Sequence, residues 1–205
     1  MPRALILVDI QNDFLPGGVL AVADADAILP VVNGLLPKFE TVVATQDWHP
    51  PNHGSFAANH AGKEVGETIS LDGLPQILWP VHCVQGEAGA EFSEALEAEQ
   101  FTAIFPKGTN PQIDSYSGFF DNGHRQATGL GNWLKQCGIS DVYIAGLATD
   151  YCVKFTALDA VELGFNTYLI RDACRGVNLA DGDVSKAIEE MQQTGVKVID
   201  SDDVK

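Results

Sequence analysis

Six short runs of aliphatic and aromatic residues are spaced along the chain, at residues 4–8 (ALILV), 41–45 (TVVAT), 101–105 (FTAIF), 142–144 (VYI), 167–170 (TYLI) and 196–199 (VKVI). The first is apolar throughout rather than alternating, which marks a strand covered on both faces, as in a parallel sheet. Between most of these runs the apolar positions recur with helical period. Residues 25–39 place Ile28, Val31, Val32, Leu35 and Leu36 on one face, interrupted by Pro30 and Gly34. Residues 125–137 carry Leu130, Trp133 and Leu134, with Gly138 placed to end the helix. Further helices are expected from Cys152 to about residue 163 and over 181–194, and a short one near 90–96. Strand, helix and strand in succession predict right-handed βαβ units. The expected fold is therefore one α/β domain over residues 1–205, an open, doubly wound, mainly parallel six-stranded sheet with helices on both faces. Residues 57–99 and 110–122 lack a regular pattern, and long irregular connections are usually functional.

Composition narrows the choice of partners. A chain of 205 residues buries a core without needing disulfides or a structural metal. The formal net charge of −16, with only 12 Lys and Arg, speaks against a nucleic-acid partner. No apolar run approaches the ~20 residues of a membrane helix, and the first residues do not read as a secretory signal, so a cytoplasmic protein is expected. Cys83, Cys137, Cys152 and Cys174 are scattered without a CxxC, as reduced thiols would be.

The reactive residues cluster at strand ends. Asp9, Lys107 and Cys152 each follow a different expected strand, and Asp47 and His49 follow a fourth, so one rim of the sheet collects them. Cys152 falls at a helix start behind Thr149 and Asp150, either of which can serve as N-cap, and the helix dipole there favours thiolate. Asp47 and His49 are two apart in an extended segment and point to one side. With His53 or His82 as a second imidazole, they form a two-histidine, one-carboxylate set that leaves positions on a metal ion open to water or substrate. That set leaves the ion open between Zn, Mn and Fe. Neither His60 nor His124 has such a setting. Tyr116, Phe119 and Phe120 mark residues 110–122 as an aromatic wall or lid. A dinucleotide site is excluded, because Asp9 is followed by Ile10, Gln11 and Asn12 rather than by a glycine-rich turn.

Five segments, LILVDIQNDFLPGG (5–18), TQDWHPPNHGSFA (45–57), LWPVHCVQG (78–86), FPKGTNPQIDSYSGFFDN (105–122) and GLATDYCVKFTALDA (146–160), together resemble the nicotinamidase branch of the isochorismatase-like cysteine hydrolases. The resemblance implies hydrolysis of nicotinamide to nicotinate and ammonia, with pyrazinamide as an alternative substrate. It implies Cys152 as nucleophile, Asp9 as general base and acid, and Lys107 as the cation between them. Asp47, His49 and His82 would be the metal ligands, zinc being the preferred ion and His53 a further candidate. Phe14, Trp79 and Tyr116 would line the ring pocket, and a cis peptide at Leu147–Ala148 would turn the Ala148 and Cys152 N–H groups toward one oxyanion. The chemistry is coherent: an amide needs an activated nucleophile, oxyanion donors and a proton for the leaving ammonia. Lys107 and the helix start are expected to lower the Cys152 pKa. Three alternatives stand beside this reading: attack by metal-bound hydroxide, a related amidase acting on a carbamoyl or ureido compound, and a non-catalytic metal-binding protein. Assembly into a homo-oligomer is left open, and no membrane or nucleic-acid partner is expected.

Overall fold

The computed structural model describes residues 2–205. Its main sheet has six strands in the order β5-β2-β1-β6-β7-β8, where β1 is Arg3–Val8, β2 Thr41–Asp47, β5 Ala103–Lys107, β6 Asp141–Leu147, β7 Asn166–Arg175 and β8 Lys197–Ile199. Every neighbouring pair in it is parallel. Central β1 shows why its sequence is apolar throughout. Leu5 and Leu7 enter the core on the face covered by α1 (Leu29–Leu35), while Ala4, Ile6 and Val8 enter the opposite core, with residues of α2 (Leu130–Gln136), α3 (Lys154–Glu162) and α4 (Asp183–Thr194). A strand sandwiched this way has no face left for polar residues.

Several elements differ from the sequence expectation. The helix expected over 25–39 is regular only in α1, with 3₁₀ turns at Ala25–Ile28 and Leu36–Lys38 on either side. Pro30 is tolerated in the first turn, but Pro37 has no N–H to continue the ladder. The helix expected over 125–137 shortens to α2, because the Asp121 carboxylate draws the N–H groups of Gly123, Arg125 and Gln126 into a turn first. Gly138 does end it, at φ +71°, with the Ile139 N–H reaching back 3.0 Å to Leu134 O. No helix forms near 90–96; a 3₁₀ turn at Ala88–Ala90 stands there instead.

Two features lie outside the sequence expectation. Residues 68–77 form an antiparallel hairpin, β3 (Thr68–Leu71) and β4 (Leu74–Ile77), around Asp72 and Gly73, both at positive φ. Asp-Gly is a strong signal for a tight hairpin turn. The other is a single π turn, Thr149–Val153, between β6 and α3.

Candidate active site

The strand register brings the rim together. Asp47 and Lys107 are the last residues of β2 and β5 and are direct partners across the ladder. β5 is an edge strand, which is where Pro106 does least damage, since it has no N–H to give. Asp9 leaves β1 at φ +49°. It accepts a hydrogen bond from Thr45 Oγ1 at 2.6 Å, and its Oδ2 lies 2.8 Å from Lys107 Nζ, close enough for an ion pair although not aligned as a hydrogen bond. Lys107 Nζ also donates to Asp47 Oδ1 at 2.9 Å, to Ser115 O at 2.8 Å and to Cys152 Sγ at 3.5 Å. One buried ammonium thus touches two carboxylates and the thiol.

The electrostatics overturn the expected thiolate. Burial pushes the Cys152 thiol well above its ordinary pKa; Lys107 opposes this, but Asp9 and Asp47 reinforce it. The lysine's charge is already offset by its two carboxylates, so little remains to stabilise sulfur as an anion. Burial also raises the Asp9 carboxyl, against the pull of Lys107 and with the help of Asp47. Lys107 stays charged because Asp47 and Asp9 outweigh its desolvation. The capping expectation is likewise corrected. Ala148, not Thr149 or Asp150, is the N-cap, without a side-chain bond. The Asp150 carboxylate instead accepts the N–H groups of Val177 at 2.9 Å and Asn178 at 2.7 Å. Leu147–Ala148 is a cis peptide.

Beside this trio stand Asp47, His49 and His82, with donor atoms within 4.8 Å of one another. His49 Nδ1–H donates to Gly108 O at 2.9 Å, and His82 Nδ1–H to Pro80 O at 2.8 Å. In the neutral rings this leaves both Nε2 atoms as lone pairs, 3.0 and 3.4 Å from the same Asp47 oxygen. With no cation between them, Asp47 favours a proton on His49 Nε2 and raises that histidine's pKa against its burial, the place a metal ion would take. Two lone pairs and a carboxylate converging in a buried space call for a cation, and backbone carbonyls holding the far ring nitrogens are how metal-binding histidines are oriented. The donor set thus fits a divalent metal. Gly108, at φ +64°, lets this happen: a Cβ there would sit 2.4 Å from His49 Cε1. His53 is buried next to His49, with ring centroids 4.2 Å apart, and its pKa is pulled down to about 4, first by burial and then by His49.

Phe14, Trp79 and Tyr116 line a cleft of about 440 Å³, mouth included, with Asp47, His82 and Cys152 also in its wall. Sequence reasoning overlooked other parts of this wall, among them Asp114, Tyr151 and Val177. It also overlooked Gln11, whose side chain accepts the Asp47 N–H and donates to Asp47 O, each at 2.8 Å. Past Val8 the β1 backbone no longer pairs with β2, and the Gln11 amide takes its place. Asp114 had a signal, two residues before Tyr116 in a segment already marked as functional. Gln11 had none, because a glutamine just after a strand is unremarkable until its partner is known.

A family model for the isochorismatase domain matches residues 3–203. The chain belongs to the isochorismatase family. More narrowly, it is 52% identical over 198 residues to a nicotinamidase of Escherichia coli (strain K12), covering 95% of this chain and 92% of that protein. A solved nicotinamidase/pyrazinamidase structure from Acinetobacter baumanii superposes with a TM-score of 0.96 at 53% identity, covering 99% of this chain and 98% of the other. The pyrazinamidase of Pyrococcus horikoshii in complex with zinc superposes at 0.80 with 41% identity, covering 98% and 99%.

Proposed function

We propose that this chain hydrolyses nicotinamide to nicotinate and ammonia, with pyrazinamide as an alternative substrate, and so serves the salvage of pyridine nucleotides. The observation that carries the reading is the junction at Lys107, which touches Asp9, Cys152 and Asp47 at once and so joins a nucleophile and its base to a metal-binding set. Relatives about half identical over nearly the whole chain carry that activity in their names.

In this mechanism the pyridine ring lies among Phe14, Trp79 and Tyr116. A divalent ion held by Asp47, His49 and His82, for which we propose zinc, would bind the ring nitrogen and so orient the carboxamide toward Cys152. Asp9 takes the proton from Cys152 Sγ as sulfur bonds to the carbonyl carbon. Because burial keeps the thiol protonated at rest, this transfer accompanies the attack rather than preceding it. The N–H groups of Ala148 and Cys152 receive the oxyanion. Asp9 then gives its proton to nitrogen, the C–N bond breaks, ammonia leaves and a thioester remains on Cys152. Water attacks the thioester; Asp9 accepts one of its protons and returns it to sulfur as nicotinic acid departs and ionises. Lys107 balances the charge that passes between Asp9 and Cys152. The four unpaired cysteines suit a reducing compartment, and we place the protein in the cytoplasm.

Folded, metal-loaded Cys152→Ala is expected to release no ammonia from nicotinamide above background. Rapid quench of the parent enzyme, followed by mass spectrometry, should find the nicotinoyl group on the peptide containing Cys152. Near-parental turnover by Cys152→Ala would transfer the attack to a metal-bound hydroxide and sink the thioester route.

A further inference from the structure

His53 is fully buried against His49, and proximity alone would enrol it as a fourth metal ligand. Its hydrogen bonds argue the reverse. The backbone N–H of Ser55 donates to His53 Nδ1 at 3.2 Å, and Ser55 Oγ lies 2.7 Å from the same nitrogen. A backbone N–H can only donate, so Nδ1 is the bare nitrogen, and the proton of a neutral imidazole must then sit on Nε2. His49 and His82 are held the opposite way, with Nδ1–H tied to a carbonyl and Nε2 turned to the Asp47 carboxylate. As neutral rings these two offer a metal their Nε2 lone pairs, whereas His53 presents an N–H there. That N–H has no partner among the described residues, although its nitrogen is fully buried.

A buried carboxylate stands beside the His53 ring. The Asp114 carboxylate has an oxygen within 4.8 Å of donor atoms of both His49 and His53. It is anchored, with Oδ2 accepting from Gln76 Nε2 at 2.9 Å and Oδ1 from the Ser115 N–H at 2.8 Å, and it lines the cleft. Each oxygen keeps a second lone pair. An N–H donor and a carboxylate this near each other complement water, which accepts from one, donates to the other and retains a lone pair.

We propose that His53 is a neutral Nε2–H donor and not a metal ligand, and that with Asp114 it fixes a water molecule beside the ion held by Asp47, His49 and His82. This inference rests on the metal reading above. His53 is then a positioning residue: the water it would order with Asp114 would bound the space left for substrate beside Asp47, His49 and His82.

The test is made on the zinc-loaded protein with labelled histidine, by long-range nitrogen–proton correlation. His53 is expected to show a protonated Nε2 and a bare Nδ1, while His49 and His82 show protonated Nδ1 and zinc-shifted Nε2. A zinc-shifted Nε2 on His53, or a proton on its Nδ1, overturns the proposal. Zinc affinity, measured by chelator competition, gives a second reading. His53→Leu should bind about tenfold more weakly, the usual cost of losing an outer partner, and His53→Gln, whose amide N–H reaches the same place, should recover most of that loss. If His53→Gln falls as far as His82→Ala, His53 is a ligand and the proposal fails. If His82→Ala binds zinc as tightly as the parent, the metal reading itself falls, a result distinct from either outcome at His53.

Discussion

Asp9 shows how a residue's role depends on what surrounds it. Its carboxyl is raised chiefly by burial, so the folded protein holds the Asp9 proton more firmly than the unfolded chain does. As pH rises from the unfolded carboxyl's pKa to the higher folded one, the unfolded state ionises first and stability is lost across that window. A neutral isostere escapes the loss. Asp9→Asn, which keeps an oxygen for Thr45, is therefore expected to melt at a higher temperature than the parent at neutral pH and to have no turnover. Differential scanning calorimetry and an ammonia assay check the two halves, and a lower melting temperature would contradict the burial argument. The same shift places the acid limb of kcat/KM above the usual carboxylate range, and a pH profile of the parent enzyme reads it directly. Cys152 is the companion case. Its neighbour Lys107 and its helix start both suggest a thiolate, yet the lysine's charge is already matched by Asp9 and Asp47, which arrive from other strands.

At the scale of elements, the π turn after β6 links Cys152, the proposed nucleophile, to the cleft wall. Asp150, two residues before Cys152, holds the N–H groups of Val177 and Asn178, and Val177 lines the cleft. Removing a buried carboxylate that accepts two backbone donors costs on the order of 3 kcal/mol. Asp150→Ala should lose about that much stability in urea titration and should raise KM more than it lowers kcat, because the wall loosens while Asp9, Lys107 and Cys152 keep their contacts. An unchanged KM would show that the 177–178 loop does not shape the cleft. The hairpin β3–β4 supports the opposite side, where Gln76 reaches Asp114 at 2.9 Å. Its Asp-Gly turn was readable in the sequence, but its attachment to the site was not.

For the molecule as a whole, the proposed metal set couples the ends of strands to the loops beyond them, Asp47 ending β2, His49 following it and His82 lying on a separate loop. A ligand that binds only the folded state stabilises it by about 2.7 kcal/mol at a hundredfold excess over its dissociation constant. Stripping the metal with a chelator should lower the melting temperature and abolish ammonia release, and zinc should restore both. His82→Ala should melt at the same temperature with and without zinc, and a persistent zinc effect in that variant would move the ion elsewhere. No helix among the described residues is long and apolar enough to cross a membrane.

Local pattern was enough for the sheet. Six apolar runs and the helices between them can satisfy their backbone and bury their faces in few ways, and a continuous apolar run such as residues 4–8 has a stable place only inside a parallel sheet. The same pattern put Asp9, Asp47, Lys107 and Cys152 at strand ends, hence on one rim, and long matching segments carried their expected roles. Tertiary structure decided what depends on contacts between distant residues: the register that pairs Asp47 with Lys107, the Gln11 amide that replaces a missing strand, the tautomers of His49, His53 and His82, and the protonation of Cys152. Hydrophobic periodicity reports which face of an element is buried. Charge and proton position depend on which groups from other elements are buried with it, and those are known only once the chain has folded.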